Sequence, residues 1–224
     1  MNKKCIIILV GILILLAGCS VNHQTKAEYF PLMYSQRPVT VLILPPENLS
    51  TAPEAKEYLM STLTETSCET GYYFLPLEVT TPFLINEGLY DTEIISESVY
   101  PQFKEYFGAD AVLITRIMEW DKTYVLVAGK VVVSLEFYLK STTTGKILWN
   151  SQCRVEVDTS SDSDNLLGQL IETAIQTATT DYVPIAKMAA TKAYTIIPVG
   201  QYHPRYNLDQ DDDVDKLLKN GKVK

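Results

Sequence analysis

Histidine is nearly missing from this 224-residue chain: only His23 and His203 occur, one near each end. A Ser-His-Asp or Cys-His arrangement is therefore excluded unless an end of the chain folds over the middle. No Gly-x-Ser-x-Gly, P-loop, His-Glu-x-x-His or Gly-x-Gly-x-x-Gly motif occurs either. The usual signatures of hydrolases, phosphate cradles, zinc proteases and dinucleotide sites are thus lacking. Basic residues are in deficit, 19 Lys and Arg against 27 Asp and Glu, for a formal charge of −8. A chain of that sign is repelled by nucleic acid and by anionic headgroups. No apolar run reaches the roughly 20 residues that a membrane-spanning helix needs.

The longest apolar run lies at the amino end. Lys3 and Lys4 precede Ile6 to Leu16, interrupted only by Gly11, and Leu16-Ala17-Gly18-Cys19 follows directly. A charged start, a short apolar centre and small residues before a cut site form a secretory signal over residues 1–18. Leu-Ala-Gly-Cys resembles the lipobox of bacterial lipoproteins. That resemblance implies a diacylglycerol and an N-acyl chain, palmitate among them, on Cys19 as first mature residue. At about 0.8 kcal/mol per buried methylene, several fatty chains anchor a protein permanently. Ser20 stands where aspartate would mark inner-membrane retention in the enteric sorting rule, which points to the outer membrane. The mature chain has 206 residues and a formal charge of −10, so the lipid and not a basic patch holds it there.

Residues 19–37 read as a lipidated tether, polar and rich in turn formers. A single domain over 38–200 follows, and 201–224 reads as an acidic, disordered tail. Val39 to Leu44 is a short β-branched run stopped by Pro45-Pro46, a strand covered on both faces. Thr51 and Glu54 make a capping box for a helix carrying Leu59, Leu63 and Thr66, ending before Gly71. Tyr73 to Val79 is an edge strand, because Pro76 cannot donate to a ladder. Short helices open at Thr81-Pro82 and at Ser98 to Pro101, and close at Gly88 and Gly108. Ala111 to Met118 reads as a central strand and Tyr124 to Val127 as a short separate one. Val131, Val133, Leu135, Phe137 and Leu139 alternate with wetter neighbours. A turn at Gly145 leads to a returning strand with Ile147, Trp149, Cys153, Val155 and Val157 inward. A long helix with a stripe from Leu167 to Ala178 and a further stretch ending near Tyr194 complete the pattern. Right-handed crossovers make the first strands parallel and hairpins make the later ones antiparallel. The fold class is α/β: a mixed sheet of about five strands covered by helices.

Few candidate sites emerge. Pro45-Pro46-Glu47-Asn48 follows the first strand, where open α/β sheets place ligands; it reads as a partner loop, though a plain turn accounts for the same residues. Cys68 and Cys153 remain once Cys5 is discarded and Cys19 lipidated, in a compartment that permits a disulfide. A bridge and two separate buried thiols are both compatible with the sequence. Asp209, Asp211, Asp213 and Asp215 alternate like early calcium-loop ligands. Val214 replaces the required glycine and Asn220 the bidentate glutamate, so no metal is expected, and no catalytic residue or cofactor beyond the lipid.

Leu42-Ile43-Leu44-Pro45-Pro46-Glu47-Asn48-Leu49-Ser50, Gly71-Tyr72-Tyr73, Gly108-Ala109-Asp110-Ala111 and Thr144-Gly145-Lys146-Ile147-Leu148-Trp149 occur in this order. With the lipobox, they resemble a family of bacterial lipoproteins of unknown function, first noted as a genome-derived neisserial antigen. More distantly the pattern resembles the periplasmic domain of the curli secretion lipoprotein CsgG and the amino-terminal domain of TolB. The resemblance implies a lipid-anchored outer-membrane protein with its domain in the periplasm. It also implies a non-catalytic accessory or assembly role among envelope proteins, beside a CsgG-like partner. The alternative is a subunit of a CsgG-like ring, an oligomer without barrel hairpins of its own, and an envelope enzyme is the third reading.

Overall fold

Val41, Leu42 and Ile43 are fully buried because strand β1 (Thr40–Ile43) lies inside a sheet with helices on both sides. The computed structural model describes residues 23–90, 92, 95, 97–125, 128–158 and 182–220. The expected signal, Cys19 and the stripe from Leu167 to Ala178 lie outside these residues.

The remaining strands are β2 (Glu47–Asn48), β3 (Tyr73–Phe74), β4 (Ala111–Val125), β5 (Ala128–Ser141) and β6 (Ile147–Asp158). Their order is β3-β1-β4-β5-β6, with β2 also paired to β4. β1 runs parallel to β3 and β4, whereas β4, β5 and β6 are antiparallel. The mixed sheet with a parallel first half is as expected, with six strands among the described residues because the two-residue β2 adds one.

Helix α1 (Lys26–Tyr29) and α2 (Pro31–Gln36) come first, then α3 (Ala55–Cys68) between β1 and β3. α4 (Leu77–Asn86) and α5 (Tyr100–Phe107) lie between β3 and β4. The chain steps one way along the sheet to β3 and back the other way to β4. Crossovers of one hand then place α3 and the α4–α5 pair on opposite faces. Accordingly Leu59 and Leu63 pack with Val41, Ile43 and Leu113, while Leu84 and Phe103 pack with Leu42, Leu44 and Val112. α6 (Val183–Tyr194) joins α3, its small Ala186, Ala189, Ala190 and Ala193 permitting a close approach. α7 (Val214–Asn220) ends the described chain.

Several local expectations are corrected. The Thr51–Glu54 capping box does not form: α3 starts at Ala55 without a side-chain cap. Asn48 instead binds the Ala52 carbonyl at 2.7 Å and pulls that segment toward β2. α4 begins at Leu77, after Pro76, and keeps Pro82 inside it. Tyr124 belongs to the end of β4, not to a strand of its own. β4 has a bulge between Ile117 and Glu119, which returns Trp120 to the core face and turns Glu119 outward. A second irregularity pairs Leu139 with Trp149 but Lys140 with Ile147, so Leu148 is buried and Ile147 is 46% exposed.

The ends of the chain differ most from expectation. Neither the segment from His23 to Arg37 nor that from Gln201 to Asn220 stands apart from the domain. Phe30 and Met33 belong to the main core, as does Val214. Thr25 bridges Asp213, and Val214 donates to the Gln24 carbonyl at 3.0 Å. Buried apolar residues and a buried charge pair, set within polar surroundings, supply the contacts.

Candidate functional site

Pro45 and Pro46 are buried, and only Leu49 of this loop is half exposed. Glu47 and Asn48 form β2 against Arg116 and Ile117 of β4. The Glu47 carboxylate accepts from Arg116 Nε at 2.6 Å, and this bond raises the guanidinium pKa. The Asn48 side chain accepts from Ser50 through its amide at 3.1 Å and its hydroxyl at 2.7 Å. The expected partner loop is thus largely committed to holding β2, leaving Leu49 and the Glu47 edge to face outward.

Arg116 opens onto a broader polar surface. Its guanidinium lies 5.3 Å from the Tyr138 ring centre, and the Tyr138 hydroxyl donates to Glu136 at 3.0 Å. Burial and then Glu136 raise the Tyr138 phenol. Farther along, Arg154 binds Glu119 at 3.0 Å and Glu156 at 2.6 Å. These residues occupy the outward pleats of β4, β5 and β6, opposite Ile117, Leu135 and Cys153. Alternating charges with an aromatic ring suit recognition of a polar protein surface.

The other motifs prove to be joints. Gly108 ends α5 with a positive φ of 67°, and Asp110 then accepts the amides of Val39 and Thr40, each at 3.0 Å. Its second oxygen pairs with Lys104. Burial raises the Asp110 carboxyl, but Lys104 and the two amides outweigh it and hold it below the usual range. Gly71 has φ +81°, and a Cβ there would stand 2.4 Å from His203. Tyr202 donates back to the Gly71 carbonyl at 3.0 Å, and the Tyr72 hydroxyl donates to Pro198. Trp149, fully buried, lies 5.8 Å from the Tyr194 ring and 6.4 Å from Phe137.

A buried charge pair joins the two ends. Lys26 Nζ donates to the Ile197 carbonyl at 2.9 Å and to Asp209 at 3.3 Å. Asp209 is 1% exposed and also accepts the Val199 amide at 3.0 Å. Burial lowers the Lys26 pKa, with the Asp209 charge opposing. Burial, and then Asp209, drive the Tyr34 phenol upward. Beside this latch is a cavity of about 280 Å³ whose lining includes Thr66, Thr70, His203 and Arg205.

The aspartates of the tail do not converge. Asp212 pairs with Arg205, and Asp213 pairs with His23 and caps the Lys216 amide. Among the described residues no group of three His, Cys, Asp or Glu could hold a metal. Cys68 and Cys153 are free thiols: the first is exposed at the end of α3, the second buried on the core side of β6, where burial raises its pKa. The open choice between bridge and separate thiols thus falls to the latter. Sequence reasoning missed the latch, and the only local sign of it was a lysine among turn formers.

The fold and its joints define a small mixed α/β domain in which Gly71, Gly108, Asp110 and Trp149 serve construction. The chain belongs to the family described as "Putative lipoprotein GNA1162-like", whose model matches residues 28–201. It is 23% identical to "Putative lipoprotein NMB1124/NMB1162" of Neisseria meningitidis serogroup B, over 89% of each chain. The crystal structure of lipoprotein GNA1162 from Neisseria meningitidis superposes with a TM-score of 0.52 at 23% identity, covering 62% of this chain and 97% of that one. A PelC dodecamer structure from Paraburkholderia phytofirmans reaches a TM-score of 0.47 at 14% identity, over 72% and 88% of the chains.

Proposed function

We propose that this protein is a lipoprotein anchored in the outer membrane through Cys19, with its domain in the periplasm. It serves an envelope complex by protein–protein contact and not by catalysis. The observation that carries this reading is how the charged groups are used. Glu47, Asp110 and Asp209 are each bound to a cation, and the first two also build strand junctions. A general acid or base needs a group left available to a substrate, whereas the outward pleats of β4 to β6 offer charges at the surface. The same pleats oppose a barrel of its own, because Arg116, Glu119, Glu136 and Arg154 stand where a lipid-facing strand needs apolar side chains.

The anchor is tested by Cys19→Ala, which abolishes fatty-acid labelling and leaves the amino end uncleaved at this site; unchanged labelling removes the assignment. The contact role is tested by crosslinking in intact cells. Glu136→Lys combined with Arg154→Glu should lose crosslinked species that the parent forms. An identical pattern in both proteins would count against this face. A detergent-solubilised size of many copies would turn the reading toward a ring subunit.

A further inference from the structure

Thr25 is fixed to the domain by its bridge to Asp213. The amides of Lys26 and Ala27 donate to the carbonyls of Asp212 and Gln210 at 2.9 and 3.0 Å, and the buried Lys26–Asp209 pair locks the segment in place. Cys19 and Thr25 are six residues apart, so their α-carbons are separated by at most about 21 Å on any path. Without this docking the chain would be free as far as Phe30, which the core holds, and the limit would rise to about 38 Å. A domain of this size is roughly 40 Å across. A tether half that long cannot reach around it.

We propose that the face built by residues 24–30 and 205–214 rests against phospholipid headgroups, and that the latch enforces this by shortening the tether. The proposal rests on lipidation of Cys19. The Ala27 amide binds the Gln210 carbonyl, and the two joined segments carry Tyr29 and Leu208, which are 49% and 70% exposed. A tyrosine suits the headgroup level. Asp211, Asp212 and Asp213 belong to the same face, so the surface it fits is zwitterionic, since anionic lipid would repel it. Val79, 70% exposed on α4, lies on the other side of the sheet and is held away from the bilayer.

The test uses full-length, lipidated protein in phosphatidylethanolamine-rich vesicles carrying headgroup nitroxides. Single labelling sites, Leu208→Cys and Val79→Cys, are made in a Cys68→Ser background and given the same fluorophore. Quenching at 208 should exceed that at 79 several-fold; equal quenching, or more at 79, overturns the orientation. Fatty-acid labelling of the same preparation reads the anchor separately, and an unlabelled protein overturns the premise and not the geometry. A flexible 20-residue insertion after Ser20 should bring quenching at 208 down toward the value at 79. Undiminished quenching would overturn the short tether as its cause.

Discussion

Lys26 meets Asp209 at 3.3 Å with 4% and 1% of the side chains exposed, whereas Arg154 meets Glu119 at 3.0 Å with 45% and 41% exposed. Similar chemistry thus stands in two dielectric settings. At the latch, both ions have left water, and their attraction offsets a desolvation cost that neither could meet alone. On the sheet face, water screens the pair and little is gained by holding it. Sequence separation differs as well. The latch joins residues 183 apart, the face pair residues 35 apart. The buried pair therefore fixes where the ends lie, and the exposed pair remains available for exchange with a partner's charges.

The sharpest way to break this contrast is Asp209→Ala. It leaves Lys26 buried with only the more distant Asp212 carboxylate, 4.0 Å away, and the expected loss is about 3 kcal/mol in urea unfolding. Limited proteolysis should then trim both ends. Lys26→Met combined with Asp209→Leu should recover most of that stability, since no unpaired charge remains; a double variant as unstable as the single one would show that the pair itself stabilises. Asp110→Ala, at a partly exposed junction, should cost about 1.5 kcal/mol, the low end for bonds to a charged acceptor. The native Asp110 carboxyl is held below its unfolded value, so the native state binds fewer protons. Its contribution is complete above about pH 4 and drains away as the pH falls through the lower native value. A stability difference between parent and variant that did not shrink as the pH fell below about 4 would contradict this. Arg154→Ala should change stability by less than about 1 kcal/mol, and less still in high salt. A larger loss would place that pair with the latch.

Legibility in the sequence followed the same division between local and distant causes. The β5–β6 hairpin was readable because Val131 to Leu139 hold a period of two, and its inward set is buried apart from Ile147 and the half-buried Val157. β4 was only half readable. Met118 shifts the phase at the bulge, and Glu119 and Asp121 then resemble a loop. Gly71 was legible as a helix stop, but the approach of His203 to within 2.4 Å of a Cβ there has no trace in the neighbouring residues. Pro45-Pro46 was legible as the stop of β1, yet Glu47 just beyond it is engaged by Arg116, 69 residues away.

The sequence by itself determined the alternation of strands and helices, the parallel-then-antiparallel order of the sheet and the resemblance of Leu16 to Cys19 to a lipobox, on which the proposed anchor rests. Each depends on periodicity, turn chemistry or a short recognised motif, all of which act over a few residues. Only the tertiary structure decided that Asp209 is buried while Asp212 and Asp213 are paired nearer the surface, that Cys68 and Cys153 stay apart, and that the expected tether and tail close on each other. In sequence the aspartates are equivalent. What separates them is Lys26, which the fold carries into the core beside Asp209, where water no longer screens either charge.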